Sequence, residues 1–112
     1  MDIAGHTVNH PILARLSPEQ QWHEVHDCKR RIEQELGETI DALSYPVGAP
    51  DSYDQATRSC LERAGYRWAF AFSGGYVRAG GCDPLAIPRV AVHPQLSLSR
   101  IEALLTLPQV FA

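Results

Sequence analysis

His6-Thr7-Val8-Asn9-His10-Pro11, near the start of the chain, is the stretch that decides how the remaining sequence is interpreted. Two imidazoles four residues apart can lie on one face of a single helical turn, from which both can reach one metal ion. Residues 3–5 before them have the composition of the end of a short buried strand. Pro11 disfavours a helical conformation at His10, so the turn should end there. The stretch therefore predicts a strand that runs into a metal-presenting turn.

The histidine pair is a weak signal on its own. Five histidines in 112 residues can give this spacing by chance, and two loop or core histidines are the alternative interpretation. Thr7 stands where the metalloprotease motif His-Glu-x-x-His has its general-base glutamate. A catalytic zinc site also needs three protein ligands and an open position. His6 and His10 are thus one ligand short.

Several segments, taken together, resemble the polysaccharide deacetylases, the NodB-homology domains of carbohydrate esterase family 4. His6-Thr7-x-x-His10-Pro11 resembles the second motif of that family. Tyr45-Pro46-Val47-Gly48, followed by Asp51-Ser52-Tyr53-Asp54, resembles the third motif. Residues 64–70 and 83–90 resemble strands that follow in many bacterial members. The order is kept over nearly the whole chain, which favours the metal-site interpretation of the two histidines.

The first motif of the family, Thr-Phe-Asp-Asp-Gly, has no counterpart here, because the chain contains no Asp-Asp pair. In the family, its two aspartates are the general base and the third metal ligand. The chain therefore resembles the C-terminal two-thirds of such a domain. We expect residues 1–112 to form a single, N-terminally shortened domain, and we expect this chain alone to be inactive.

The resemblance implies hydrolysis of an N-acetyl or O-acetyl group on a carbohydrate substrate, with a divalent metal of the zinc type as cofactor. His6 and His10 match the metal-binding histidines of the family. Tyr45-Pro46-Val47-Gly48 matches the substrate and oxyanion segment, and the matching oxyanion donor is the N–H of Val47. Ser44 stands where many members carry an arginine that orients the base, so the usual charge network is not reproduced at that position.

His93 is the candidate for the general acid, because the family places a histidine after a late strand. The context here is Val-Ala-Val-His-Pro rather than Leu-x-His, and it favours the alternative of a surface histidine. For the whole chain, the alternative function is a non-catalytic domain that keeps the deacetylase fold and binds a metal or a sugar.

Composition argues against several other classes of protein. The formal net charge is −3 with both signs interspersed, whereas nucleic-acid binding normally shows a basic stripe. No apolar run approaches the ~18 residues of a membrane span, and no signal peptide is visible. Cys28, Cys60 and Cys82 are scattered and lack Cys-x-x-Cys spacing, which favours free thiols. These features favour a cytoplasmic location for this chain.

The helices of the chain are predicted from their capping signals. Ser17-Pro18-Glu19-Gln20 starts a helix over residues 18–36 that ends at Gly37. Its charged face is predicted to carry Glu24, Arg30, Arg31, Glu33 and Glu35, and His23 and His26 are expected to be exposed or packing residues rather than a second metal site. Asp51 or Ser52 is expected to cap the next helix, which ends at Gly65. Ser97 or Ser99 opens a last helix that stops near Leu107-Pro108.

Strands are expected at residues 39–45, 66–72 and 87–92, with a glycine-rich surface loop at 73–84. Strands that alternate with helices imply parallel pairing and right-handed crossovers. Together with the resemblance, this pattern predicts an α/β fold: a partial distorted (β/α) barrel of about four parallel strands with flanking helices. Its open apolar sheet edge predicts self-association, for which a homodimer is the simplest form.

Overall fold

A computed structural model describes residues 1–107 of the chain. Helices and strands alternate through most of this range, as expected for an α/β fold. None of the helices within these residues is both long and apolar enough to cross a bilayer. The elements are, in chain order, a 3-10 helix at Leu13–Arg15, α1 at Pro18–Leu36, β1 at Ala42–Ser44, α2 at Gln55–Ala64, β2 at Trp68–Phe70 and α3 at Leu98–Thr106.

Helix α1 begins and ends where the sequence predicts. The Ser17 side chain accepts a hydrogen bond from the Gln20 N–H, and the Gln20 side chain accepts one from the Ser17 N–H. This reciprocal capping box satisfies N–H groups that have no partner within the helix. Gly37 ends the helix with φ of 70°, a left-handed conformation that glycine adopts without a Cβ penalty.

Helix α2 begins later than the sequence predicts. Its N-cap is Asp54, which forms a capping box with Thr57, and the prediction of Asp51 or Ser52 as the cap is wrong. Ser52 is buried, and its hydroxyl donates to the carbonyl oxygen of Ala49 over 2.6 Å. Both Ser-x-x-Gln and Asp-x-x-Thr can cap a helix locally. Asp54 is the cap because Ser52 belongs to the preceding turn, where its hydroxyl is already bonded to Ala49.

The start of α3 at Leu98 confirms the sequence prediction, with Ser97 as its N-cap. The predicted stop at Pro108 lies outside the described residues.

Helices α1 and α2 pack together around a small buried polar cluster. The Gln21 amide donates to an Asp54 carboxylate oxygen over 3.3 Å, and the Thr57 hydroxyl donates to the Gln21 side-chain oxygen. Burial tends to raise the pKa of Asp54, but hydrogen bonds from Thr57 and Gln21 outweigh it and leave that pKa below its ordinary value. The cluster therefore holds the two helices in one register.

Strands β1 and β2 are parallel neighbours, with Leu43 opposite Ala69 and Ser44 opposite Phe70. Leu43 and Ala69 are fully buried, so the centre of this pair lies in the hydrophobic core. The other core side chains are mainly aliphatic or aromatic: Leu13, Val25, Ile40, Tyr45, Cys60, Leu61, Tyr66, Ala71 and Leu85.

Two further segments extend the sheet by a single bridge each. Gly5 pairs with Leu43, and Phe70 pairs with Ile87, both in the parallel sense. The order across the sheet is thus Gly5, β1, β2 and Ile87, which agrees with the predicted parallel arrangement. The predicted extent of the outer segments is wrong, because each is one bridge long. Ile3, expected in a buried strand, is exposed.

Candidate functional site

The rings of His6 and His10 are neighbours in space. Their centroids lie 4.8 Å apart and their planes meet edge to face at 65°. The prediction that a helical turn presents them is wrong, because Thr7 and His10 have left-handed φ values of 66° and 57°. Consecutive L-residues do not form a right-handed helix through such conformations. A tight loop brings the two rings together instead.

His6 is oriented by the end of strand β1. Its Nδ1 atom lies 2.8 Å from the carbonyl oxygen of Ser44. We assign a proton to Nδ1, because a carbonyl oxygen can only accept a hydrogen bond. In the neutral ring this leaves the Nε2 lone pair free. Metal-binding histidines almost always donate their other N–H in this way, so His6 has the tautomer of a metal ligand.

The loop between the histidines is held from helix α1 by Glu24. One carboxylate oxygen accepts the backbone N–H groups of Val8, at 2.8 Å, and Asn9, at 2.9 Å. The other accepts the Asn9 side-chain amide at 2.7 Å. Glu24 is only 9% exposed, so its prediction as part of an exposed charged face is wrong. Three hydrogen bonds to the carboxylate offset the cost of burying it.

The side chains of Tyr45 and Pro46 are buried and face away from solvent. The Tyr45 hydroxyl donates to the Leu85 carbonyl oxygen over 2.6 Å, and its ring stacks on Tyr53 with centroids 4.1 Å apart. Burial raises the pKa of Tyr45. These two side chains therefore shape the end of β1, and their contribution to a substrate-contacting segment stays a prediction.

Val47 and Gly48 form a strained turn directly after them. Val47 has φ of 64°, an outlier for a β-branched residue, and its side chain is 53% exposed. Within residues 1–107 its N–H donates no hydrogen bond. Gly48 has φ of 79°, and a Cβ there would lie 2.7 Å from the Phe72 nitrogen. The turn thus requires glycine at 48 and presents an unpaired N–H at 47.

Backbone strain in the described part of the chain coincides with the predicted site. The non-glycine residues with positive φ in residues 1–107 are Thr7, His10 and Val47. Two of them lie in the histidine segment and the third in the oxyanion segment. Such conformations persist only where surrounding contacts enforce them, and they cluster at functional sites.

Both segments lie at the carboxyl end of the parallel sheet. His6 follows the Gly5 bridge, and Ser44 ends β1. Phe72 follows β2, and its N–H donates to the Gly48 carbonyl oxygen over 2.8 Å. Because the three sheet segments are parallel, these residues lie at their carboxyl ends, which is where open α/β sheets bind ligands.

Arg89 also lies at the carboxyl end of the sheet, and the sequence analysis did not single it out. Its Nε donates to the carbonyl oxygen of Ala71 over 2.9 Å, and its guanidinium lies 5.6 Å from the Phe72 ring centroid. Its terminal nitrogens have no hydrogen-bond partner among the described residues. The local sequence Pro-Arg-Val does not predict this position. Arg89 reaches the end of β2 because the chain pairs with that strand at Ile87.

His93 is not among the residues that the structure brings together at the carboxyl end of the sheet. It is exposed, and its Nδ1 lies 3.0 Å from the Gln95 side-chain oxygen. No hydrogen bond or ring contact joins it to His6 or His10. His26 stacks on Trp22 with centroids 4.7 Å apart, which confirms the expectation of a packing histidine.

The described residues contain no group of three or more His, Cys, Asp or Glu side chains placed to hold one metal ion. The two histidines suit a metal ion because imidazole nitrogens are common metal ligands. His6 also has the tautomer that leaves Nε2 free to bind one. They supply two of the three protein ligands that a catalytic zinc site normally has.

The fold is α/β, and two features lie at the carboxyl end of its parallel sheet. One is the pair of imidazoles, and the other is the strained turn at Val47 with its unpaired N–H. The polysaccharide deacetylase family model matches residues 1–69. The chain belongs to the polysaccharide deacetylase family, and its α/β fold is part of the NodB-type barrel of that family.

Individual relatives agree with this assignment. YxkH of Bacillus subtilis (strain 168), assigned to the polysaccharide deacetylases, is 31% identical over 105 residues, which cover 92% of this chain and 36% of YxkH. Streptococcus pyogenes deacetylase PplD, solved in complex with acetate, superimposes with a TM-score of 0.79 at 28% identity, covering 88% of this chain and 42% of PplD.

BC0361, a polysaccharide deacetylase from Bacillus cereus, matches in fold with a TM-score of 0.77 at 19% identity, over 91% of this chain and 31% of its own length. The chain thus spans less than half the length of each of these relatives.

Proposed function

We propose that this chain forms part of the active site of a carbohydrate deacetylase that hydrolyses N-acetyl or O-acetyl groups, with His6 and His10 as ligands of a divalent metal, zinc in the first instance. The hydrogen bond from His6 Nδ1 to the Ser44 carbonyl oxygen carries this proposal. It leaves Nε2 free beside a second imidazole whose ring centroid is 4.8 Å away. Family membership supports the same chemistry.

The residues have distinct roles in this proposal. A bound zinc-type ion would act as a Lewis acid and lower the pKa of water. His6 and His10 would hold it, because imidazole nitrogens suit zinc. The N–H of Val47 would donate to the oxyanion that develops on the acetyl carbonyl, since a fixed, unpaired N–H needs no reorganisation during the reaction.

Zinc titration of the chain by isothermal titration calorimetry tests the metal site. We expect His6→Ala and His10→Ala each to weaken zinc binding at least tenfold, because each removes one of two imidazole ligands. His23→Ala is the matched control: it removes an exposed histidine of α1 that contacts Asp27 and should leave the affinity unchanged. Equal zinc affinities for the wild-type chain and His6→Ala would exclude this site.

The alternative function, non-catalytic binding of a metal or sugar, is favoured for the isolated chain by one observation. Residues 1–107 bring no third ligand group to the histidines. We therefore expect zinc binding without release of acetate from a chitooligosaccharide by the pure 112-residue chain. Acetate release that is lost in His6→Ala would overturn this expectation and establish catalysis by the chain alone.

A further inference from the structure

We propose that Glu24 is a positioning residue for the histidine pair: its buried carboxylate fixes the loop from Thr7 to His10 and thereby sets how the two imidazoles meet. The contacts of Glu24 with the loop do not depend on the proposed function, whereas the consequence for metal affinity rests on it.

The contacts of Glu24 with the loop use both carboxylate oxygens. Two consecutive backbone N–H groups, of Val8 and Asn9, converge on one oxygen at 2.8 and 2.9 Å. Consecutive N–H groups arranged in this way form an anion-binding concavity. The Asn9 side chain donates to the other oxygen at 2.7 Å. One helix side chain therefore holds the main chain midway between the two histidines.

The loop needs such a restraint because its backbone is strained at both ends. Thr7 and His10 flank the Glu24-bound residues and have positive φ. The Thr7 hydroxyl accepts the His10 N–H at 3.1 Å, which is a restraint within the loop itself. Glu24 adds the connection to helix α1. Without it, two loop N–H groups lose a charged acceptor, and the relative position of the imidazoles should become variable.

A second glutamate of α1 offers a matched control. Glu33 also accepts a loop N–H, from Ile40 at 3.0 Å, and it accepts Lys29 Nζ at 2.7 Å. It is nine residues further along the helix and contacts neither histidine. Loss of Glu33 should therefore lower stability without changing the metal ligands, whereas loss of Glu24 should change both.

The experiment compares Glu24→Ala, Glu24→Gln, Glu24→Asp and Glu33→Ala in the full chain, with Zn²⁺ titration and thermal unfolding of each. We expect Glu24→Ala to weaken zinc affinity about tenfold, the lower end of the effect of removing a group bonded directly to a metal ligand, because Glu24 acts on the histidines through the loop. Glu33→Ala should lower Tm and keep the wild-type affinity. A folded Glu24→Ala with wild-type affinity, or an equal loss in Glu33→Ala, would overturn the proposal.

The conservative variants keep the test informative if Glu24→Ala does not fold. In Glu24→Gln the amide oxygen can accept both loop N–H groups, and a flipped Asn9 amide can accept from the new nitrogen. We expect zinc affinity within about threefold of wild type. Glu24→Asp keeps the charge but is one methylene shorter, so it should behave like Glu24→Ala. Full affinity in Glu24→Asp would contradict a positional role.

NMR separates failure of this proposal from failure of the metal site. Without any metal, Glu24→Ala should shift the amide resonances of Val8 and Asn9 and remove ring-to-ring contacts between His6 and His10, whereas Glu33→Ala should leave them in place. If the wild-type chain binds no zinc but Glu24→Ala shows these changes, the metal site is wrong and the positioning role of Glu24 holds. Unchanged loop resonances in Glu24→Ala would refute the positioning role.

Discussion

His6 donates its Nδ1 proton to the carbonyl oxygen of Ser44 across 38 residues of sequence, over 2.8 Å. The acceptor is a main-chain atom at the end of β1, so its position is set by the sheet and not by the Ser44 side chain. The outer segment at Gly5 pairs with the same strand, since Ser44 N donates to the Gly5 carbonyl oxygen over 2.8 Å. The orientation of the His6 imidazole is therefore fixed by the parallel pairing of the Gly5 segment with β1.

Val47→Gly should stabilise the protein by about 1 kcal/mol, because glycine removes the penalty of a β-branched residue at positive φ. The gain is limited by the greater freedom of glycine in the unfolded chain. Urea unfolding of the variant and the wild type gives the free-energy difference. Val77→Gly, in an exposed loop, is the control and should bring no gain. A lower stability for Val47→Gly would show that the turn at 47 carries no strain.

Gly48→Ala should destabilise the protein by roughly 2–4 kcal/mol, or prevent folding, because the added Cβ meets the Phe72 main chain in a left-handed turn. Gly37→Ala is the control: Gly37 also has positive φ, of 70°, but has no atom within 4 Å of an added Cβ. We expect it to cost only about 1 kcal/mol, the penalty of an L-residue in the left-handed region. The difference between the variants, measured by urea unfolding, isolates the steric clash. Equal costs would refute the close approach to Phe72.

Stability should fall as the pH is lowered below about 4.5. The hydrogen bond from Lys29 is the main cause that lowers the pKa of Glu33 from its ordinary 4.5, and the hydrogen bond from Arg58 does the same for Asp83 from 3.8. For a lowered folded-state pKa, the unfolded chain binds protons first, so the contribution is complete above the ordinary pKa and is lost as the pH falls through the folded value.

Urea unfolding between pH 7 and pH 3 measures this dependence. Glu33→Gln should flatten the acidic part of the profile, because it removes one of the responsible carboxylates. Glu19→Gln, in the exposed first turn of α1, is the matched control. A wild-type profile that is flat down to pH 3 would contradict the assignment.

The homodimer through the sheet edge stays a prediction. A groove of about 660 Å³ borders the outer segment and is lined by the partly exposed side chains of Ile3, Leu36 and Trp68, while His6 and His10 are not part of its lining. We expect light scattering after size exclusion to show a dimer, and Ile3→Lys to give a monomer. Leu98→Lys, on the exposed face of α3, should leave the dimer intact. A wild-type monomer at high concentration would contradict the prediction.

Local signals determined a large part of the fold. The limits of α1 followed from Ser17, Gln20 and Gly37, because capping depends on residues within one turn of the helix end. The alternation of strand-like and helical segments correctly indicated parallel pairing. The His-Thr-x-x-His-Pro stretch indicated the pair of imidazoles, although a loop with left-handed residues brings them together and not the helical turn on which that prediction was based.

Tertiary structure decided how that pair is presented. Glu24 lies one helical turn from the buried Gln21 and from the buried Cys28, so helical spacing allowed its burial, but its charge led to its assignment to the exposed face. It is buried because two loop N–H groups from another segment need an acceptor there. The left-handed backbone at Thr7 and His10, and the approach of Arg89 to the end of β2, arise in the same way from contacts between distant parts of the chain. Local sequence sets where elements begin and end, whereas the pairing of separated backbone groups determines which side chains meet at the site.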